Sequence, residues 1–269
     1  MFFIVSGAAC VSAVADTDEQ ISKDLSDPVS DLINMPVQMN WDYGGGPKDK
    51  GQVFNMKFEP VIPMRIFGDW RVISRSILPV EHKHNFGYGA KTGLGDLTQT
   101  FFISPTFRNE QFKWGVGPAF LIPTATEKQL GSEKWGAGPS GVLIYETDNW
   151  TWGALVRQIW SFAGDKERSY VNETFLQPFV TRHFKNGWSI KMMPEYTYDW
   201  HDHDQKIPIN LTVGKVAHFG EVPLSFSVGG RYYLDKPSGR SDWGLRATIT
   251  FVFPRYIKNF IERKIINEF

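Results

Sequence analysis

The sequence predicts an all-β chain: a twelve-stranded antiparallel transmembrane β-barrel with a short periplasmic N-terminal helix and an amphipathic C-terminal tail. Three observations carry that prediction. Apolar and polar residues alternate with period two from Pro36 onward, as they do along strands with one apolar and one polar face. The alternating segments are even in number and joined by long and short connections in turn, and aromatic residues cluster at the ends of the apolar faces, the pattern of outer-membrane barrels. The chain also opens on an apolar stretch that reads as an export signal. A soluble β-sandwich would share the alternation, but not the other two features.

The opening run "MFFIVSGAACVSAVADTDEQ" has an apolar core from Phe2 to Val14 and an A-x-A site at Ala13 to Ala15 just before Asp16. Residues 1–15 are therefore expected to be a signal peptide. The only cysteine, Cys10, lies inside it, so the mature chain carries no thiol, which suits an oxidising periplasm. Residues 16–35 form the expected periplasmic segment. Within them "SDPVSDLINMPVQ" predicts a short helix, with Ser26 or Asp27 as N-cap and Pro28 in its first turn. That helix could plug the lumen from below or simply lead into the barrel.

The barrel is expected over 36–254. Its strands are placed near 36–43, 52–62, 70–80, 94–104, 112–123, 135–145, 150–161, 173–183, 188–200, 206–216, 222–234 and 242–253. Most approach the ~9 to 11 residues that a tilted strand needs to cross a bilayer. In "WSIKMMPEYTYDW" one face reads Trp188, Ile190, Met192, Pro194, Tyr196, Tyr198 and Trp200, the other Ser189, Lys191, Met193, Glu195, Thr197 and Asp199. Loops after odd strands, such as "TATEKQLGSEK", are long; those after even strands, such as "KNG" at 185–187, are mostly tight. After Pro254, the tail over 255–269 spaces Ile257, Phe260, Ile261 and Ile265 as on one helix face.

"WGVGP" at 114–118 returns as "WGAGP" at 135–139. The two copies fall on consecutive strands, so Trp114 is expected in the periplasmic aromatic girdle and Trp135 in the outer one. Trp150, Trp188, Trp200 and Trp243 complete the expected girdles. Glycines 115, 117, 136 and 138 face inward in this phase, which gives either a groove on the lumen wall or local strand curvature.

With 29 basic and 29 acidic residues the chain has no net field to attract nucleic acid. There is no G-x-S-x-G, P-loop or H-E-x-x-H, so the chain is not expected to be an enzyme or to need a cofactor. His82 and His84 are placed in the second outer loop, and "HDHD" at 201–204 in the fifth. His201 and His203 are weak metal candidates there, because alternate imidazoles and carboxylates can share a divalent ion; a solvated polar loop is the competing reading.

Several of these segments, among them "DPVSDLINMPVQMNWDYG", "EPVIP", "WRVISRSILPV", "GLGDLTQTFFISP", "WGVGPAFLIPTAT", "KWGAGPS", "WTWGALVRQIWSFAG" and "PINLTVGK", resemble a family of bacterial outer-membrane transporters of the meta-pathway phenol degradation type. The resemblance runs from about Asp27 to Pro254. It implies a barrel in the outer membrane of a Gram-negative-type bacterium and passive passage of small molecules, including aromatic or phenolic compounds, without naming binding residues. A structural barrel with a filled lumen and adhesive outer loops is the alternative. Outer-membrane lipid and a small solute are the expected partners; the oligomeric state is left open. The tail "RYIKNFIERKIINEF" extends past the last strand, where many such barrels stop.

Strand phase then selects the lumen. With the aromatic-rich faces outward, Lys57, Arg71, Arg75, Lys113, Arg157, Lys191, Arg231 and Arg246 are expected inside, opposed by Glu59, Asp96, Glu195 and Asp199. An Arg or Lys on the lipid face at mid-depth costs about 2 to 4 kcal/mol. Strand eight is ambiguous: either Arg182 or His183 could point inward. Twelve strands enclose a narrow space, so a polar, partly cross-bridged interior with mild anion preference is expected.

Overall fold

The computed structural model describes residues 18–106, 110–219 and 222–253. The expected signal peptide and the C-terminal tail lie outside the described residues. Twelve strands form the wall: β1 (Ile33–Gly45), β2 (Gly51–Phe58, resuming as Val61–Phe67), β3 (Trp70–His84), β4 (Lys91–Leu94, resuming as Leu97–Pro105), β5 (Phe112–Ile122), β6 (Lys134–Glu146), β7 (Trp150–Gly164), β8 (Asn172–His183), β9 (Trp188–Pro194, resuming as Tyr196–Asp199), β10 (Asp204–Lys206, resuming as Pro208–Phe219), β11 (Val222–Tyr233) and β12 (Trp243–Phe253). Each pairs antiparallel with its neighbours in sequence, and β12 closes on β1 with Ile33 opposite Phe253 and Trp41 opposite Leu245. Closure leaves no sheet edge, so strands can cross lipid without unpaired backbone groups. No helix among the described residues is long and apolar enough to cross a membrane.

Four strands are interrupted, at 59–60, 95–96, 195 and 207. Three of these breaks contain or adjoin a proline, Pro60, Pro194 or Pro208, which has no N–H for the ladder. Three also bring an inward carboxylate with them: Glu59, Asp96 and Glu195, all facing the cavity.

Val116, Leu143, Val156, Leu211, Val228 and Leu245 stand exposed on the outer face at mid-strand. Their alternate neighbours point inward, and several of those are fully buried, including Val142, Ile144, Leu155 and Thr151. Trp114, Trp150 and Trp188 lie outward at the short-turn end; Trp135, Trp200 and Trp243 lie outward at the long-loop end. Trp114 meets Trp70 edge-on at 6.1 Å between centroids, and the Trp200 indole N–H donates to Thr174 Oγ1 at 2.7 Å. These two rings bracket the apolar band where amphipathic indoles suit the headgroup level.

The two W-G-x-G-P copies meet in the middle of one hairpin, Pro118 opposite Pro139. A Cβ at Gly117 would collide with the Phe101 carbonyl oxygen, and one at Gly138 with the Gln158 carbonyl oxygen. Adjacent backbones press into the spaces that side chains would occupy, so the repeat builds tight strand coiling rather than an open groove.

Two sequence expectations shift. Among the described residues, helix covers 18–24, upstream of the expected site. Asp27 does not cap a helix: its Oδ1 accepts from the Val29 N–H two residues on, and its other oxygen is taken by Lys113. Tertiary partners there outweigh local propensity. His82 and His84 lie on β3, which runs past the expected end at 80 to form a long hairpin with β4, not in a loop.

Candidate pore lumen

The lumen has two levels, and the N-terminal segment makes the lower one. Residues 18–31 sit inside the short-turn mouth, where strand ends supply their partners. Lys113 on β5 bridges Asp27 at 2.9 Å and Glu146 at 2.6 Å. Arg71 on β3 bridges Asp31 at 2.9 Å, and His218 on β10 lies 2.8 Å from Asp18. His183 is buried between the Ser22 hydroxyl at 3.1 Å and the Thr151 hydroxyl at 2.9 Å. This settles the phase of β8: His183 points in, and Arg182 points out, stacked over Trp150 at 4.9 Å.

Between these polar ties Val29 is driven into a dry cluster with Val61, Ile73, Phe102, Val142, Ile144, Leu155 and Phe179. Gly115 makes room for it, since a Cβ there would come within 3.0 Å of Val29. Burying a valine fully gains about 1.5 to 3 kcal/mol, so the segment is held as a floor by apolar packing as well as by charge. Arg71 and Lys113, also chosen by strand phase, lie at this floor and do not line the open cavity.

Above the floor a cavity of about 610 Å³ is lined by Lys57, Glu59, Arg75, Asp96, Arg157, Lys191, Glu195, Arg231 and Arg246, nine of the twelve residues chosen by phase. Glu195 on β9 reaches past β10 to Arg246 on β12 at 3.0 Å and Arg231 on β11 at 3.6 Å. Asn40 and Asp42 on β1 complete the network, accepting from Arg246 at 2.8 Å and Arg231 at 3.3 Å. Arg75 pairs with Glu59 at 2.9 Å and Arg157 with Glu173 at 3.6 Å. The wall is therefore braced around its circumference by charge.

Asp42, Glu173 and Lys206 line the cavity without having been selected from sequence. Asp42 was detectable: it alternates inward against Trp41 and Tyr43 in β1. Glu173 was hidden by the mixed phase of β8, and Lys206 by its place just before the break in β10. Asp199 lies outside the cavity lining; its Oδ1 accepts from the backbone N–H groups of His201 and Asp202 and shapes the fifth outer loop.

The upper rim is tied down by the loop over 123–133. Asp96 accepts from the backbone N–H groups of Ala125 and Ser132 and from the Ser132 hydroxyl. The Arg168 guanidinium donates to the carbonyls of Lys128 at 3.0 Å and Gly131 at 2.5 Å. Leu130 is buried at the same place. His201 faces Asp202 at 3.9 Å and the edge of Tyr170, and His203 holds a positive φ of 55°. No group of three or more His, Cys, Asp or Glu side chains that could hold a metal occurs among the described residues.

No protein-family model matches the chain, and no curated protein does. Solved structures do. An outer membrane channel from Pseudomonas putida F1 superposes with a TM-score of 0.64 at 14% identity, over 82% of this chain and 95% of that one. The NanC porin superposes with a TM-score of 0.51 at 13% identity, over 82% of this chain and 99% of that one. At these identities the likeness is one of fold: this chain has the architecture of the outer-membrane barrels.

Proposed function

We propose that this chain resides in the outer membrane of a Gram-negative-type bacterium and lets small solutes diffuse through its lumen, with a mild preference for anions. The observation that carries the reading is a charged cavity inside a closed wall whose outer face is apolar and ringed by tryptophans at both ends. A protein that only filled its lumen for stability would gain by packing it with apolar side chains, since buried ion networks are weak stabilisers. Charged walls instead keep a path wet. The similarity of fold to solved channels and porins supports the same reading, and the sequence resemblance adds aromatic or phenolic compounds as a solute class.

The floor formed by residues 18–31 favours a second reading, a structural barrel whose lumen stays shut. Single-channel recording in planar bilayers separates the two. Discrete conductance steps are expected, growing when the floor is loosened. A bilayer that stays silent with both the whole chain and a floor-loosened variant would leave only the structural barrel.

A further inference from the structure

The cavity is lined by nine basic and seven acidic side chains, and the two sets are treated unequally. Every carboxylate is engaged through at least one oxygen, although Asp42 Oδ1, like the Asn55 and Asn210 amide oxygens of the same lining, has no donor among the described residues. Asp42, Glu59, Glu81, Glu173 and Glu195 pair with basic residues of the wall; Asp27 pairs with Lys113 at the floor; Asp96 is used up on the loop over 123–133. Three interior ammonium groups have no such partner. Lys57 on β2, Lys191 on β9 and Lys206 on β10 line the cavity, and no hydrogen bond or ion pair joins them to any described residue.

They also work on a common space. β2 and β9 stand five strands apart in a ring of twelve, so Lys57 and Lys191 face each other nearly across the lumen. Both lie in the field of Glu59, Glu195 and Arg246, and Lys206 lies in the field of Glu173, Arg231 and Lys57. Arg231 Nε and Arg246 Nη1, on side chains more than nine-tenths buried, are likewise without acceptors. Buried donors without partners are costly and uncommon. The two guanidinium donors are of that kind; the three ammonium groups reach the open cavity, where Lys206 is exposed.

One wall of the same space is apolar. Phe175 and Phe179 on β8 and Met193 on β9 line it, with the Lys191 ammonium 5.1 Å from the Phe179 ring centre and the Arg157 guanidinium 5.0 Å from that of Phe175. A ligand that satisfied both features would carry one anionic group for the lysines and a compact apolar body for the phenylalanine shelf. The cavity volume lies in the range of small-molecule sites.

We propose that Lys57, Lys191 and Lys206 form a solute-binding site for small organic monocarboxylates with an apolar body, the carboxylate held among the lysines and the body resting on Phe175, Phe179 and Met193. The proposal deepens the channel reading and rests on it for its biological meaning, but the site itself is testable without conduction.

Calorimetry on refolded full-length protein in detergent, titrated separately with benzoate, cyclohexanecarboxylate, acetate and phosphate, measures the site directly. Benzoate and cyclohexanecarboxylate are expected to bind about tenfold more tightly than acetate, the worth of roughly 1.4 kcal/mol of apolar contact. Lys191→Gln and Lys57→Gln should each weaken benzoate about tenfold or more, the scale of a lost charge-assisted hydrogen bond. Phe179→Leu should narrow the gap between benzoate and acetate while leaving acetate itself unchanged. Each variant is first checked for the heat-modifiable gel migration of the folded barrel. Two lysine variants are used so that one may fail to fold without ending the test.

Absence of benzoate binding to the folded whole chain overturns the proposal, even if the protein conducts. Equal binding of all four anions, or benzoate binding that survives both lysine substitutions, overturns it too. Binding as expected in a protein that never conducts sustains the site and removes the channel reading, so the two failures are distinguishable.

Discussion

The floor and the cavity above it are built from the same alternating strands, yet one is dry and closed and the other charged and open. At the floor each inward cation is met by the N-terminal segment, Lys113 by Asp27 and Arg71 by Asp31, and Val29 fills the space between. In the cavity the segment supplies only the base, and three lysines are left without partners. The strand pattern thus decides only which residues point inward. Whether an inward charge becomes part of a packed core or of a wet passage is decided by what else comes to meet it.

The largest effect expected from breaking that contrast is at Glu195. Replacing it with Ala leaves Arg246 and Arg231 facing each other without their shared carboxylate, on a network that spans β1, β9, β11 and β12. Removing one partner from a buried ion network costs about 3 to 5 kcal/mol. Urea unfolding of the refolded barrel should show a loss of that size. A loss below about 1 kcal/mol would mean that water already screens the network, and the cavity would extend further than its walls suggest.

Next comes the floor itself. Phe102→Ala removes the largest fully buried side chain of the apolar cluster around Val29, a change worth about 3 kcal/mol. The same variant should raise conductance, because the cluster that holds Val29 loses its largest member. If stability falls and conductance stays fixed, Phe102 braces the wall without holding the segment.

Asp27→Asn tests the floor through charge alone. Lys113 keeps Glu146, so the cost should be smaller, about 1 to 3 kcal/mol for a charge-assisted bond. Applied to an open and shut floor, 1.4 kcal/mol is a tenfold change in their ratio. The open probability in single-channel records is therefore expected to rise about tenfold. Records indistinguishable from the parent chain would show that apolar packing, not the ion pair, keeps the segment seated.

Much of this was legible in the sequence because a barrel wall is a strictly local code. Period two gave the twelve strands, and it placed Lys57, Arg75, Arg157, Lys191, Glu195, Arg231 and Arg246 on the cavity side. What it could not give was any contact made outside the ladder. Asp27 looked like a helix cap because its true partner, Lys113, is 86 residues away. The mixed phase of β8 was resolved only by Ser22 and Thr151, which close on His183 from two other elements. His82 and His84 escape the strand pattern because the β3–β4 hairpin continues beyond the apolar band, where alternation no longer has lipid on one side to enforce it.

The smallest expected effect concerns selectivity. The cavity's excess of two basic side chains, nine against seven, and the absence of any acceptor for three lysines predict a weak preference for anions. A reversal potential measured across a tenfold KCl gradient should sit modestly on the chloride side. The preference should shrink as the mean salt rises from 0.1 M to 1 M, because the screening length falls from about 10 Å to about 3 Å. Charges farther apart than that length cease to act together, so at low salt the lysines are expected to act jointly and at high salt each alone. Lys191→Gln together with Lys57→Gln should bring the reversal potential close to zero at every salt concentration. A cation preference in the parent chain would instead assign selectivity to carboxylates at the outer mouth, such as Asp202, Asp204 and Asp235, and would reduce the cavity lysines to a binding site that ions pass without being sorted.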